Sequence, residues 1–164
     1  FAPSSGPIDD EGLPAKSLSL IKNGRLCNYL LDLQTAALLD MEPTANGYRS
    51  YSKQPSPSST NTIVAGGEDR YEDMIAELDT GLIIDQTLGS GQSNVLGGEF
   101  SVNVALGFVV ENGRIQGRVK DAMVAGNVYE LLSRVEGVGQ QQSWIGSDCV
   151  PALCVSGIKL AAQK

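Results

Sequence analysis

The chain contains no histidine. That absence removes every catalytic triad built on imidazole and every zinc site that needs an imidazole ligand. Cysteine is also scarce: Cys27, Cys149 and Cys154 are the only three in 164 residues. An odd number at low density argues against a disulfide scaffold and for free thiols in a reducing compartment. No apolar run approaches the length of a membrane span. Cations are few: 12 Lys+Arg stand against 19 Asp+Glu, a net charge of −7. Without a basic stripe to neutralise phosphates, direct nucleic-acid binding is excluded from the expectations. What is present is an ordinary globular composition, long enough for one domain, residues 1–164, with a buried core. The Phe-Ala-Pro start, without Met or a signal-peptide pattern, reads as a fragment or trimmed product.

The most informative stretch is Gly97 to Leu132, read as strand, tight turn, strand and helix. Asn112-Gly113 sits between two β-type runs, and a type I′ turn needs positive φ at both of its central residues. Glu99–Val110 and Arg114–Lys120 are the expected arms. Lys22-Asn23-Gly24-Arg25 is a second such turn, between Ser17–Ile21 and Leu26–Leu31. The two hairpins read either as an internal repeat or as two uses of a common turn. Asp32 is placed to cap a short helix through Leu39, which Pro43 prevents from continuing. Residues 42–59 are loop, and Thr60–Ala65 alternates as a strand.

Asp69 and Glu72 have capping-box spacing before a helix whose apolar stripe is Tyr71, Met74, Ile75 and Leu78, with Gly81 just past its end. Leu82–Gln86 is a short strand, followed by a glycine-containing loop over residues 87–94 that lacks phosphate-loop spacing. Asn127 and Glu130 give another capping-box pattern ahead of Val128, Leu131, Leu132 and Val135. Residues 136–148, rich in Gly and Gln, read as loop, and Val150–Leu160 as a closing strand. The expected fold is therefore α+β and mostly β: twisted antiparallel sheets built from two long hairpins, with a few short helices packed on them.

Candidate chemistry is thin. Cys149 and Cys154 lack the further ligands that a zinc knuckle needs. Cys149, after a polar loop, is the better reactive thiol, and Cys154 is expected inside a strand. Asp9-Asp10-Glu11 and Asp69/Glu72/Asp73 read as solvated surface and helix capping. Turn chemistry accounts for Asn46-Gly47 without a ligand.

An ordered series of motifs nonetheless points to a family. Ile8-Asp9-Asp10-Glu11-Gly12-Leu13-Pro14, Pro43-Thr44-Ala45-Asn46-Gly47-Tyr48-Arg49, Thr60-Asn61-Thr62, Gly89-Ser90-Gly91-Gln92, Phe108 to Gly113 and Ala125-Gly126-Asn127 occur in that order. Together they resemble the C-terminal part of the TldD/PmbA proteins, once called modulators of DNA gyrase. That resemblance implies a cytoplasmic homo- or heterodimer and a zinc metallopeptidase that cleaves unfolded or modified peptides inside a closed chamber. It implies that zinc is held by an upstream His-Glu-x-x-x-His helix and a downstream Cys on TldD-type subunits, whereas PmbA-type subunits lack the motif. Cys149 is followed by Val150-Pro151 rather than Gly-Lys, so the ligand role is not assigned to it, and no metal or catalytic residue is expected in this chain. The closing region resembles the PmbA type; the Asp-Asp-Glu-Gly and Thr-Asn-Thr pieces resemble the TldD type. The implied role is chamber wall, dimer contact and a peptide-binding edge, for which Thr60, Asn61, Thr62, Gly89, Gly91 and Gln92 are the candidates. The alternative is a non-catalytic partner or structural domain.

Overall fold

A computed structural model describes residues 2–89, 94 and 96–162. Among the described residues the fold is α+β and mostly β, with largely antiparallel sheets and three short helices. The chain divides into two compact units, Phe1–Ile63 with Trp144–Cys149, and Val64–Ser143 with Val150–Lys164.

In the first unit, β1 (Ile21–Lys22) and β2 (Arg25–Leu26) pair antiparallel through Ile21–Leu26 and Lys22–Arg25. The turn is the expected Asn-Gly, with φ of 51° at Asn23 and 72° at Gly24. The ladder is shorter than the arms read from the sequence. Both of its apolar residues, Ile21 and Leu26, are exposed, so no packed face extends it. Helix α1 (Leu33–Leu39) starts where expected: the Asp32 carboxylate accepts from the Thr35 N–H at 2.6 Å. Asp40 ends it in the left-handed conformation, its N–H directed at the carbonyls of Ala36 and Ala37. Among the described residues, Leu31, Ala36, Ala45 and Cys149 are the buried apolar residues of this unit. β3 (Gly47–Tyr48) pairs antiparallel with β4 (Ser56–Pro57). The Thr60–Ala65 stretch contributes only β5 (Thr62–Ile63), which runs parallel to the start of β11 (Asp148–Val155).

The second unit is built on β7 (Glu99–Glu111). It pairs with β6 (Thr80–Leu88) along one side, and with β9 (Ala122–Asn127) and β8 (Arg114–Arg118) in succession along the other. β12 (Lys159–Ala162) extends the sheet beyond β9. The core lies on one face, where Val102, Val104, Ala122 and Val124 meet Leu82, Ile84 and Phe100. The central hairpin forms as read, with φ of 48° at Asn112 and 71° at Gly113. Asn127 caps α3 (Val128–Leu132), accepting from the N–H groups of Tyr129 and Glu130.

Three local expectations are corrected in this unit. Asp69 does not cap α2 (Tyr71–Ala76); Arg70 occupies that position without a side-chain cap. The Asp69 carboxylate is drawn away by the Val138 N–H, 2.9 Å distant. Gly81 belongs to β6, not to the end of the helix. Residues 136–148 are not loop: they make most of β10 (Val135–Ile145), which pairs with β11. The Gly/Gln composition hid this strand, whose partner on one side is the backbone of Gly67 and Asp69. A Cβ on Gly67 would meet the Val138 carbonyl, and one on Gly66 the Gln140 carbonyl, so the two glycines permit the approach.

Candidate functional site

The best-built polar cluster lies in the first unit, where the acidic run was expected to be solvated. Asp9 is 3% exposed. Its Oδ1 accepts from the N–H groups of Glu11 (3.1 Å) and Leu13 (2.8 Å), and its Oδ2 from that of Gly47 (3.2 Å). Asp10 extends the link: its N–H reaches the Gly47 carbonyl at 3.0 Å, and its carboxylate accepts from Arg49 at 2.8 Å. Glu11 accepts from the Leu33 N–H, in the first turn of α1, at 2.8 Å. Three consecutive carboxylates thus fasten the N-terminal loop to the 43–49 loop and to a helix start, and a helix start favours negative charge. Thr44 completes the fastening: its hydroxyl oxygen accepts from the Leu31 N–H at 2.7 Å. The acidic motif and the Asn-Gly loop are therefore one structural clip. Sequence reasoning missed it because its halves lie about forty residues apart; the hint was an unexplained acidic run and an unexplained turn in the same motif series.

The predicted peptide-binding residues fall in two places. Thr60, Asn61 and Thr62 lie in the first unit, at and just before β5. Thr62 donates its N–H to the Ser147 carbonyl at 3.1 Å, which directs its polar groups toward β11. Along a strand successive residues direct their main-chain groups to opposite sides, so Ile63 presents its N–H and C=O away from β11. Among the described residues β5 is the terminal strand of its sheet, and Ile63 is 62% exposed. Asn61 already has partners: its Oδ1 accepts from the Ser4 N–H at 3.1 Å, and its Nδ2 donates to the Ser5 hydroxyl at 3.4 Å. Gly89 belongs to the second unit, follows β6 and has φ of +85°, with nothing among the described residues within 4 Å of where its Cβ would be. Gly91 and Gln92 lie outside the described residues.

Cys154 lies within β11, the strand position expected of it, whereas the expectation for Cys149 is not met. Cys149 is 8% exposed, as the second residue of β11 rather than the end of a polar loop. Cys154 is half-buried and lines a cleft of about 420 Å³ in the second unit, together with Met74, Asp69, Asp73, Glu77 and Glu136. Burial pushes its thiol up, and the charges of Glu136 and Glu77 push it further, which disfavours the reactive thiolate. Among the described residues no group of three or more Cys, Asp or Glu side chains is arranged to hold a metal ion. The residues present do not fit the zinc that the resemblance implies.

Comparison with known proteins agrees with the motif series. Residues 1–162 match the PmbA/TldA metallopeptidase C-terminal domain. The chain is 33% identical over 135 residues to a metalloprotease TldD homolog of Haemophilus influenzae, covering 82% of this chain and 28% of that protein. It is 30% identical over 159 residues to metalloprotease PmbA of Escherichia coli O157:H7, covering 94% and 33%. It thus spans a third or less of the length of these curated relatives. Among solved structures, TldE from Thermococcus kodakarensis superposes with a TM-score of 0.85 at 30% identity, over 96% of this chain and 36% of that one. A Thermotoga maritima protein described as a modulator of a DNA gyrase gives a TM-score of 0.86 at 33% identity, over 96% and 36%. The match over nearly the whole chain, the ordered motifs and the shared fold lead to one conclusion: this chain belongs to the PmbA/TldA metallopeptidase C-terminal domain family.

Proposed function

We propose that this chain is the recognition and wall-forming part of a TldD/PmbA-type metallopeptidase that acts on unfolded or modified peptides. The observation that carries the proposal is the open edge of β5. An extended peptide adds to such an edge by main-chain hydrogen bonds, which do not depend on its side chains and so suit a broad substrate range. Ile63 supplies the outward N–H and C=O, and Thr60, Asn61 and Thr62 flank it. Gly89, with Gly91 and Gln92, is the second candidate contact, since a glycine lets another backbone approach closely.

Hydrolysis on this reading belongs to a metal, zinc in the intact complex, held by residues outside this chain. The protein is cytoplasmic, pairs with itself or with a second family member, and contacts neither nucleic acid nor membrane. No helix among the described residues is long and apolar enough to cross a membrane. A second reading, a non-catalytic partner subunit, is supported by the resemblance of the closing region, where Cys149 is followed by Val150-Pro151, to the PmbA type.

Amide exchange tests the edge. On titrating the chain with an unfolded peptide, the Ile63 amide should become protected in proportion to the bound fraction. Binding with unchanged exchange at Ile63 would remove β5 as the recognition edge.

A further inference from the structure

Three Asn-Gly dipeptides occur in the chain, at 23–24, 46–47 and 112–113. Asparagine is thermolabile. When glycine follows it, no side chain obstructs the approach of the glycine nitrogen to the asparagine side-chain carbonyl carbon. Reaction requires that nitrogen to lose its proton and move, so a hydrogen bond already made by the glycine N–H must first break.

The three sites differ in this respect. The Gly113 N–H donates to the Leu78 carbonyl at 2.8 Å, and the Asn112 N–H to the Asp79 carbonyl at 2.7 Å. A Cβ on Gly113 would also lie 2.5 Å from the Ala76 carbonyl oxygen, so this turn is pressed against the end of α2. The Gly47 N–H is buried and held by the Asp9 carboxylate. The Gly24 N–H has no hydrogen-bond partner among the described residues, and nothing lies within 4 Å of where its Cβ would be. Asn23 and Gly24 are both exposed, in a turn closed by only two residue pairs. Asn23-Gly24 and Asn112-Gly113 share nearly the same φ values, so turn type does not separate them.

We propose that Asn23 is a site of spontaneous deamidation and isoaspartate formation, and that the fold protects Asn46 and Asn112. The Gly24 nitrogen, deprotonated by solvent hydroxide, bonds to Cγ of Asn23. The bond from Cγ to the side-chain nitrogen breaks, and that nitrogen leaves as ammonia after taking a proton from water. Water then opens the five-membered imide at either carbonyl. One opening gives Asp; the other gives isoaspartate, which adds a methylene to the backbone of the turn and breaks the β1–β2 register.

The test is peptide mapping by mass spectrometry after incubating the folded 164-residue chain in mildly alkaline buffer. Asn23 should convert about fivefold faster than Asn112, whose glycine is tied to a neutral carbonyl, and about tenfold or more faster than Asn46, whose glycine is tied to a carboxylate. In concentrated urea the three rates should converge. Conversion of Asn46 or Asn112 at the rate of Asn23 in the folded chain overturns the proposal. So does an unchanged ranking in urea, which would assign the difference to local sequence rather than to the fold.

Discussion

Replacing Asp9 with Ala should unfold the first unit far more easily than any other single change in the acidic run. Asp9 is buried, and three N–H groups, those of Glu11, Leu13 and Gly47, donate to its carboxylate. A hydrogen bond to a charged acceptor contributes about 1.5–3 kcal/mol, and a buried donor left without a partner costs about 1–3 kcal/mol. The three are not independent. Glu11 and Leu13 are half-buried and can recover water, whereas Gly47 is buried and cannot. The expected loss is about 3–5 kcal/mol, a large share of the roughly 5–15 kcal/mol that stabilises a domain. Trp144, the only tryptophan, belongs to the same unit, so its fluorescence in a urea titration reports the relevant transition. Asp10→Ala is the control. Asp10 is exposed and loses one bond, to the Arg49 N–H, which should cost about 1 kcal/mol or less. If Asp9→Ala costs no more than Asp10→Ala, the clip is not what holds this unit together.

Two further outcomes follow from local geometry. Asp32 has its carboxyl held below the usual carboxylate range, first by hydrogen bonding from Thr35; a pKa lowered by folding gives stability that is present above the unfolded value and lost as pH falls through the folded one. Acid titration of unfolding should therefore show a loss below the ordinary carboxylate range that Asp32→Asn abolishes. Gly113→Ala should cost more than Gly24→Ala in a denaturant titration. Both positions require positive φ, at about 1–2 kcal/mol for a residue with a Cβ, but only Gly113 faces a backbone oxygen that cannot yield cheaply.

What could be read from the sequence was local. The caps at Asp32 and Asn127 and the Asn112-Gly113 turn depend on residues within a few positions of one another, and each formed as read. Readings failed where a distant partner intervened. Asp69 had the spacing of a cap, yet its carboxylate serves Val138, far along the chain. β10 has neither apolar alternation nor β-branched enrichment, and it is a strand because β11 and the 67–69 backbone supply its ladder. The Asp9 clip was illegible for the same reason: a carboxylate run carries no mark of burial, and its Gly47 partner belongs to another motif. Of the peptide-edge candidates, Thr62 was identifiable as strand from its β-branched neighbours. That Ile63, not Thr62, directs its main-chain groups away from β11 emerged only from the pairing with β11.

On the proposed function, peptides add to the open edge of β5. Ile63→Pro tests this most directly. Proline removes the outward N–H while leaving the Thr62–Ser147 bond in place, and proline is tolerated on an edge strand whose N–H faces solvent. The residue before it, Thr62, is already extended, as a pre-proline residue prefers. The measurement is the affinity of a fluorescent unfolded peptide for the chain and for this variant, with urea midpoints taken in parallel. Affinity should weaken by about tenfold, the loss of roughly one main-chain hydrogen bond, at an unchanged midpoint. Equal affinity for the chain and the variant, at equal stability, would contradict peptide addition at this edge.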